Sequence, residues 1–161
     1  MTGHNAITLE QVQAFAAAWY QALDFHVPTE EILTLVADEN VQMIFPEKTL
    51  HGVGDFAAWY SGGTYSDGEQ TKGVINIFFD ENHNVVSVDS KIGDASIEVQ
   101  VVVAWQASWF VPPAAKSKRV SADFTQAWTL RSSTKNPYGL VIESYNAVVV
   151  PPSYAPGFAR L

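Results

Sequence analysis

Residues Ala95–Phe110 read ASIEVQVVVAWQASWF. Ile97, Val99, Val101, Val103 and Trp105 recur at every second position, with Glu98, Gln100, Val102 and Ala104 between them. A period of 2 places the first set on one face of a β-strand. A strand this long does not stay flat; it twists and bends. Its continuous apolar face needs a cover from elsewhere in the chain.

The segments downstream continue the pattern. Arg119 to Arg131 and Leu140 to Val150 read as strands, separated by a loop over Ser132–Gly139. Asn84–Ile92 precedes the long strand across a Gly93-Asp94 turn. The tail from Pro151 is proline-rich and is expected not to pair internally as a strand, although Tyr154 and Phe158 could pack on a surface. The cover lies upstream. Thr8 with Gln11 forms a capping box, and Leu9, Val12, Ala16, Trp19 and Leu23, with Phe15 beside them, recur at helical spacing to about Asp24. Thr29 is expected to cap a second helix carrying Glu30 and Glu31 in its first turn. Asn40–Pro46 reads as a short strand. Gly52 precedes a third helix with Phe56, Trp59 and Tyr60, which Gly62-Gly63 stops. Val74–Phe79 fits a strand or a short buried helix, and the helix is preferred because Asp80-Glu81-Asn82 would end it.

Helices first and long strands after them predict an α+β domain. The expected form is a cone-shaped barrel: a curved mixed or antiparallel sheet of five to six strands wrapped around three to four N-terminal helices. One domain is expected over residues 1–161, with its core over about 8–150 and the tail over 151–161. The open end of such a cone is a natural cleft.

Composition narrows the function. The 161 residues are 47% hydrophobic and 16% charged, which excludes a disordered chain. A net charge of -8 argues against a nucleic-acid surface. Cysteine is absent, so neither disulfides nor thiolate chemistry are available. No apolar run reaches the roughly 18 residues of a membrane helix, and no secretory leader is visible. A cytoplasmic protein without membrane or nucleic-acid partners is expected. His4, His26, His51 and His83 are scattered without metal-ligand spacing, so no metal is expected. No phosphate-cradling glycine motif and no nucleophile elbow occur, and no cofactor is implied.

The element order resembles the nuclear transport factor 2-like superfamily over roughly Thr8–Val150. The strings Val36-Ala37-Asp38-Glu39-Asn40-Val41, Leu50-His51-Gly52 with Asp55-Phe56, Gly93-Asp94-Ala95 and Trp128-Thr129-Leu130 carry the likeness, which is nearest to the polyketide-cyclase (SnoaL-like) branch. The resemblance implies isomerases, dehydratases, cyclases, epoxide hydrolases or non-catalytic modules, so fold alone does not assign function. In the steroid-isomerase branch the general base sits just before the proline ending the first strand. Here that position is Phe45, which cannot take a proton. The same comparison places Gln126 where that branch has its oxyanion acid, and Trp19, next to Tyr20, near its helix-one tyrosine.

Among ionisable residues, His83 and His51 are the catalytic candidates, since imidazole suits proton transfer near neutrality. Their plainer reading, weighted more heavily, is a turn residue and a helix-start hydrogen-bond donor. Asp55 reads first as a carboxylate serving the N-terminus of its helix. Asp123 and Gln126 lie three apart on one strand and so face opposite sides; the resemblance implies that Gln126 is the one in the pocket, with Asn146 on the neighbouring strand. Trp19, Tyr20, Phe45, Trp59 and Tyr60 are expected to bind a ligand, although aromatic stripes more often form core. Two functions follow. One is a binding protein, or an enzyme of lyase, isomerase or cyclase type, for a small hydrophobic molecule. The other is a non-catalytic interaction module that forms a homodimer through the sheet face around Val102 and Ala104.

Overall fold

The structure is a computed structural model describing residues 6–94 and 96–161. His4, the residues before Ala6 that were read for a leader, and Ala95 at the expected start of the long strand lie outside the described residues. Helix α1 spans Leu9–Phe25, and Thr8 Oγ1 accepts the Gln11 backbone N–H at 3.1 Å. Only half of the capping box forms, because the Gln11 amide donates instead to the Tyr138 carbonyl. Val12, Phe15, Ala16, Trp19, Tyr20 and Leu23 face inward, whereas Leu9 is exposed. The helix ends at His26, whose left-handed backbone (φ 51°) returns its N–H to the last turn.

Helix α2 (Thr29–Ile32) is a single turn continued by a 3-10 turn over Leu33–Leu35. Thr29 is already helical and Pro28 holds the cap position, so the expected threonine cap does not form. Strands β1 (Gln42–Ile44) and β2 (Thr49–His51) form a hairpin leading into α3 (Val53–Ser61). A two-stranded ribbon, β3 (Gly63–Thr64) with β4 (Gln70–Thr71), follows. Its base is tight: a Cβ on Gly73 (φ +89°) would lie 2.3 Å from the Gly62 nitrogen, so only glycine fits there. The ambiguous segment after it is both things in turn, a single helical turn α4 (Val74–Ile77) and then strand from Phe78.

The main sheet contains β5 (Phe78–Ile92), β6 (Ile97–Trp109), β7 (Lys118–Ser132) and β8 (Leu140–Asn146), in the order β2-β1-β8-β7-β6-β5. All neighbours are antiparallel except β1 and β8, which run parallel. The sheet is therefore mixed, but it does not close into a barrel: β2 and β5 remain at opposite edges. The tail corrects the sequence expectation. Ser153–Tyr154 form β9, paired with Ala122 and Asp123 of β7 beyond the two prolines; a missing N–H bars only the proline itself from donating to a ladder, so the residues after it can pair. Along β6 and β7 the inward set is Ile97, Val99, Val101, Val103, Trp105 and Val120, Ala122, Phe124, Gln126, Trp128, Leu130, as the alternation requires. Among the described residues no helix is long and apolar enough to cross a membrane.

Candidate functional site

Between α1, the β1–β2 hairpin, α3 and the hollow face of β5–β8 lies a cavity. The free volume of this cavity is about 70 Å³. That is room for several waters or one small ring, since a single water needs about 10–15 Å³ on this measure. Phe45, Trp59, Phe78, Trp105, Phe124 and Tyr145 make the wall predominantly apolar. Phe45 stacks on Trp59 at 4.1 Å and packs against Tyr145 at 5.2 Å.

His83 is set into this wall from β5. Its Nδ1 lies 2.6 Å from Asp24 Oδ1, and its backbone N–H donates to Asp24 Oδ2 at 3.0 Å. Tyr20 stacks on the imidazole at 5.0 Å and Trp105 lies at 6.1 Å. A carboxylate at Nδ1 holds a proton on Nδ1, so that in the neutral ring the lone pair is on Nε2. Asp24 comes from the last turn of α1, one turn after Tyr20, so the helix orients both groups around the ring.

A β-bulge makes this geometry possible. Phe79 pairs with Ser108 and Asn82 with Gln106, so β5 holds one residue more than β6 between these pairs, and Asp80 takes a left-handed conformation (φ 51°). The extra residue reverses the strand's parity. Phe78 faces inward before it, and Glu81 and His83 line the cavity after it. A second bulge between Val85 and Ser87 reverses the parity again.

Glu81 brings a carboxyl into the same wall. Its Oε1 lies 2.7 Å from His26 Nε2, and Oε2 accepts the Trp105 indole N–H at 3.0 Å. Glu47, at the rim, is exposed as a residue, but its carboxyl turns to the Trp59 indole N–H at 3.3 Å. Burial of that carboxyl pushes its pKa above the ordinary glutamate value, against the opposing pull of the indole bond. Behind the wall, Tyr20 donates its phenol to Gln126 Oε1 at 2.7 Å, and the Trp128 N–H reaches the same oxygen at 3.1 Å. Burial pushes the Tyr145 phenol up to about 12, while the nearby polar hydrogens of Trp19, Gln126 and Tyr20 pull it down. Tyr20 stands well above the usual phenol value, through burial first and the neighbouring Tyr145 second. Both phenols therefore remain protonated donors at neutral pH.

The sequence candidates separate accordingly. His83, Phe45, Trp59 and Gln126 line the cavity, and Tyr20 backs it through Gln126. Trp19 and Tyr60 are fully buried core instead: Trp19 packs on Phe56 and Trp128, and the Tyr60 phenol donates to the Val27 carbonyl. His51 pairs with Gln42 on the outward side of the hairpin and is exposed, so it does not reach the cavity. Asn146 also faces outward, because β7 and β8 pair with Ala127 opposite Asn146; the inward residue of β8 is Tyr145. Asp55 does not cap its helix. It accepts the backbone N–H groups of His51 and Ser66 and the Ser66 hydroxyl, tying the β2–α3 junction to the turn between β3 and β4. Asp24, His26, Glu47, Glu81 and Tyr145 went unassigned in the sequence. The only available signal was the alternation Glu81-x-His83, which the bulge disguised. Among the described residues no three His, Asp or Glu side chains gather as a metal site would require.

Neither a family model nor a curated protein matches the sequence. Solved structures do match in shape. A candidate scytalone dehydratase from Novosphingobium aromaticivorans shares 11% identity over 94% of this chain and 95% of its own, with a TM-score of 0.65. A ketosteroid isomerase-like protein from Erwinia carotovora atroseptica gives 14% identity, coverage of 91% and 95%, and a TM-score of 0.61. The calmodulin-dependent kinase II hub of S. rosetta gives 14%, 93% and 98%, and 0.57. At these identities the likeness shows the fold alone, which is the nuclear transport factor 2-like, or cystatin-like, fold.

Proposed function

We propose that the protein is an enzyme of lyase or isomerase type that moves a proton at a carbon atom of a small, largely apolar ring compound. One observation carries this reading: an imidazole held at Nδ1 by a carboxylate forms part of the wall of a largely apolar cavity. In such a site Nε2 can take a proton from a carbon next to a carbonyl. The Tyr145 phenol and the Gln126 amide, both in the wall, can donate hydrogen bonds to the carbonyl oxygen as charge develops on it. Aromatic side chains exclude water and bury the ring. The dehydratase and isomerase-like proteins of similar shape support the same class of chemistry.

The test is exchange of the α-protons of cyclohexanone in deuterated buffer, followed by NMR. The native protein is expected to accelerate exchange above the buffer rate, and His83→Gln to abolish the acceleration. Equal rates for the two proteins refute the assignment.

Assembly is a separate proposal. Val102 and Ala104 are half-buried on the outer sheet face, and Val86 beside them on β5 is 63% exposed, so we propose a homodimer through this face. Some proteins of the same shape are association domains.

A further inference from the structure

The chain carries nine Lys and Arg residues against 17 Asp and Glu, and the nine are unevenly placed. Lys116 stands in the connection from β6 to β7, Lys118 and Arg119 open β7, and Arg160 stands in the tail. No acid occurs between Glu98 and Asp123, nor after Glu143. The fold joins these two stretches: the Ala159 backbone N–H donates to the Arg119 carbonyl at 2.9 Å, and Ala159 bridges Val120. Four of the nine basic residues thus share one end of the sheet. The other five share the rest of the molecule with all 17 acids, a charge asymmetry that the net value of -8 conceals.

All four cations are exposed. Among the described residues no ion pair includes any of them, whereas Lys48, Arg131 and Lys135 each face a carboxylate. Lys118 Nζ lies over the Trp109 ring at 6.0 Å, Arg160 Cζ lies over the Tyr154 ring at 5.3 Å, and Arg119 donates to Ser108 Oγ at 2.9 Å. These contacts orient the cations without neutralising them. Asp123 is four residues along β7 from Arg119, about 13 Å away. Asp80 is two strands across, about 10 Å away. Both lie beyond the screening length of about 8 Å at physiological salt.

Beside the charges the surface is apolar. Val111-Pro112-Pro113-Ala114-Ala115 has no polar side chain, and its last four residues are exposed. The Phe110 N–H is tied to the Ile77 carbonyl and the Ala114 N–H to the Val111 carbonyl, so the stretch forms a shaped tip next to the cations. Phe158, beside Ala159 in the tail, is 41% exposed. An acidic protein surface or a nucleic acid would answer the charges and leave the apolar tip unused. An anionic bilayer answers both: its headgroups meet the cations, and its acyl boundary takes the proline, alanine and phenylalanine side chains.

We propose that this end of the sheet is a docking surface for a membrane that contains anionic lipid. No spanning helix is needed for such association, and the inference does not depend on the chemistry of the cavity.

The test is co-sedimentation of the whole protein with vesicles. At about 0.1 M salt it is expected to bind an equal mixture of phosphatidylserine and phosphatidylcholine and not phosphatidylcholine alone; at about 1 M salt, where the screening length falls to about 3 Å, binding is expected to be lost. Lys116→Gln combined with Arg160→Gln is expected to weaken binding about 25-fold, about fivefold for each charge. Phe158→Ser is expected to weaken it about fivefold or more. Failure to bind the mixed vesicles, equal binding to both kinds, or native affinity in the double variant overturns the proposal. A Phe158→Ser protein that binds as the native one does, or a native protein that binds a single-stranded oligonucleotide as tightly as the vesicles, assigns the patch to soluble polyanions and overturns it too. If circular dichroism shows the double variant unfolded, Lys116→Gln alone decides, since its side chain stands in solvent; native affinity there refutes the docking surface.

Discussion

Replacing Asp24 by asparagine tests the positioning of His83 without touching the cavity wall. Both carboxylate oxygens are in use: Oδ2 accepts the His83 backbone N–H at 3.0 Å and Oδ1 faces Nδ1 at 2.6 Å. An asparagine has one acceptor oxygen and one NH₂ group. If its oxygen serves the backbone N–H, the NH₂ faces Nδ1, which must then become an acceptor; the ring proton moves to Nε2 and the base disappears from the pocket. If its oxygen serves Nδ1, the NH₂ confronts the backbone N–H donor. Either way a charge-assisted hydrogen bond is lost, worth about 1.5–3 kcal/mol, or roughly 10- to 150-fold in rate. The effect should fall on kcat with little change in KM, because Asp24 stands behind the ring and not in the lining of the cavity. Cyclohexanone exchange gives the rate, and nitrogen-resolved NMR of the imidazole gives the tautomer. An Asp24→Asn protein that exchanges within about twofold of native and keeps its proton on Nδ1 refutes the argument.

Asp55 is buried, which pushes its pKa up, but the bonds from His51 and Ser66 outweigh burial and leave it below the ordinary aspartate value. A depressed folded pKa means stability present above the unfolded value and lost as pH falls through the folded one. Denaturant midpoints should therefore drop below about pH 4, and less so in Asp55→Asn. That variant should also cost about 1–3 kcal/mol at neutral pH. Tyr145, pushed up to about 12, and Tyr20, also raised by burial, should stay protonated at about pH 10.5, where an ordinary phenol is mostly ionised. Ultraviolet titration of Tyr145→Phe should then match the native curve at that pH; a lost step would show Tyr145 to be accessible. Their raised values also mean that stability falls as pH climbs above about 10. Light scattering at micromolar concentration should give twice the 17.7 kDa chain mass if the outer sheet face pairs two copies; the monomer mass refutes that interface.

Much of the frame was legible because it depends on uninterrupted periodicity. The helical stripe Val12–Trp19–Leu23 and the alternation through Ile97–Trp105 are both buried as their periods require. Parity set Gln126 and Asp123 on opposite faces and the family resemblance chose Gln126 for the inner one; the structure places Gln126 inside and Asp123 outside. The site was less legible because it lies where periodicity breaks. The bulge at Asp80 and the left-handed His26 bring Glu81, His83 and Asp24 together from segments that carry no regular pattern. Asn146 was misplaced because register between strands is not written in either strand alone; it is set by the pairing of Ala127 with Asn146. Trp19 and Tyr60 illustrate a second limit. A large aromatic on an inward face reads the same whether it ends in the core or in a cavity, and depth along the helix decides it.

The most direct test of the hollow and its base is a crystal structure of the protein soaked with cyclohex-2-enone. The ring is expected between Phe45 and Trp105, with its carbonyl end near Tyr145 and His83 Nε2 within reach of the carbon beside it. An interior closed by tryptophan and phenylalanine side chains, or a His83 ring turned away from Asp24 toward solvent, would contradict it.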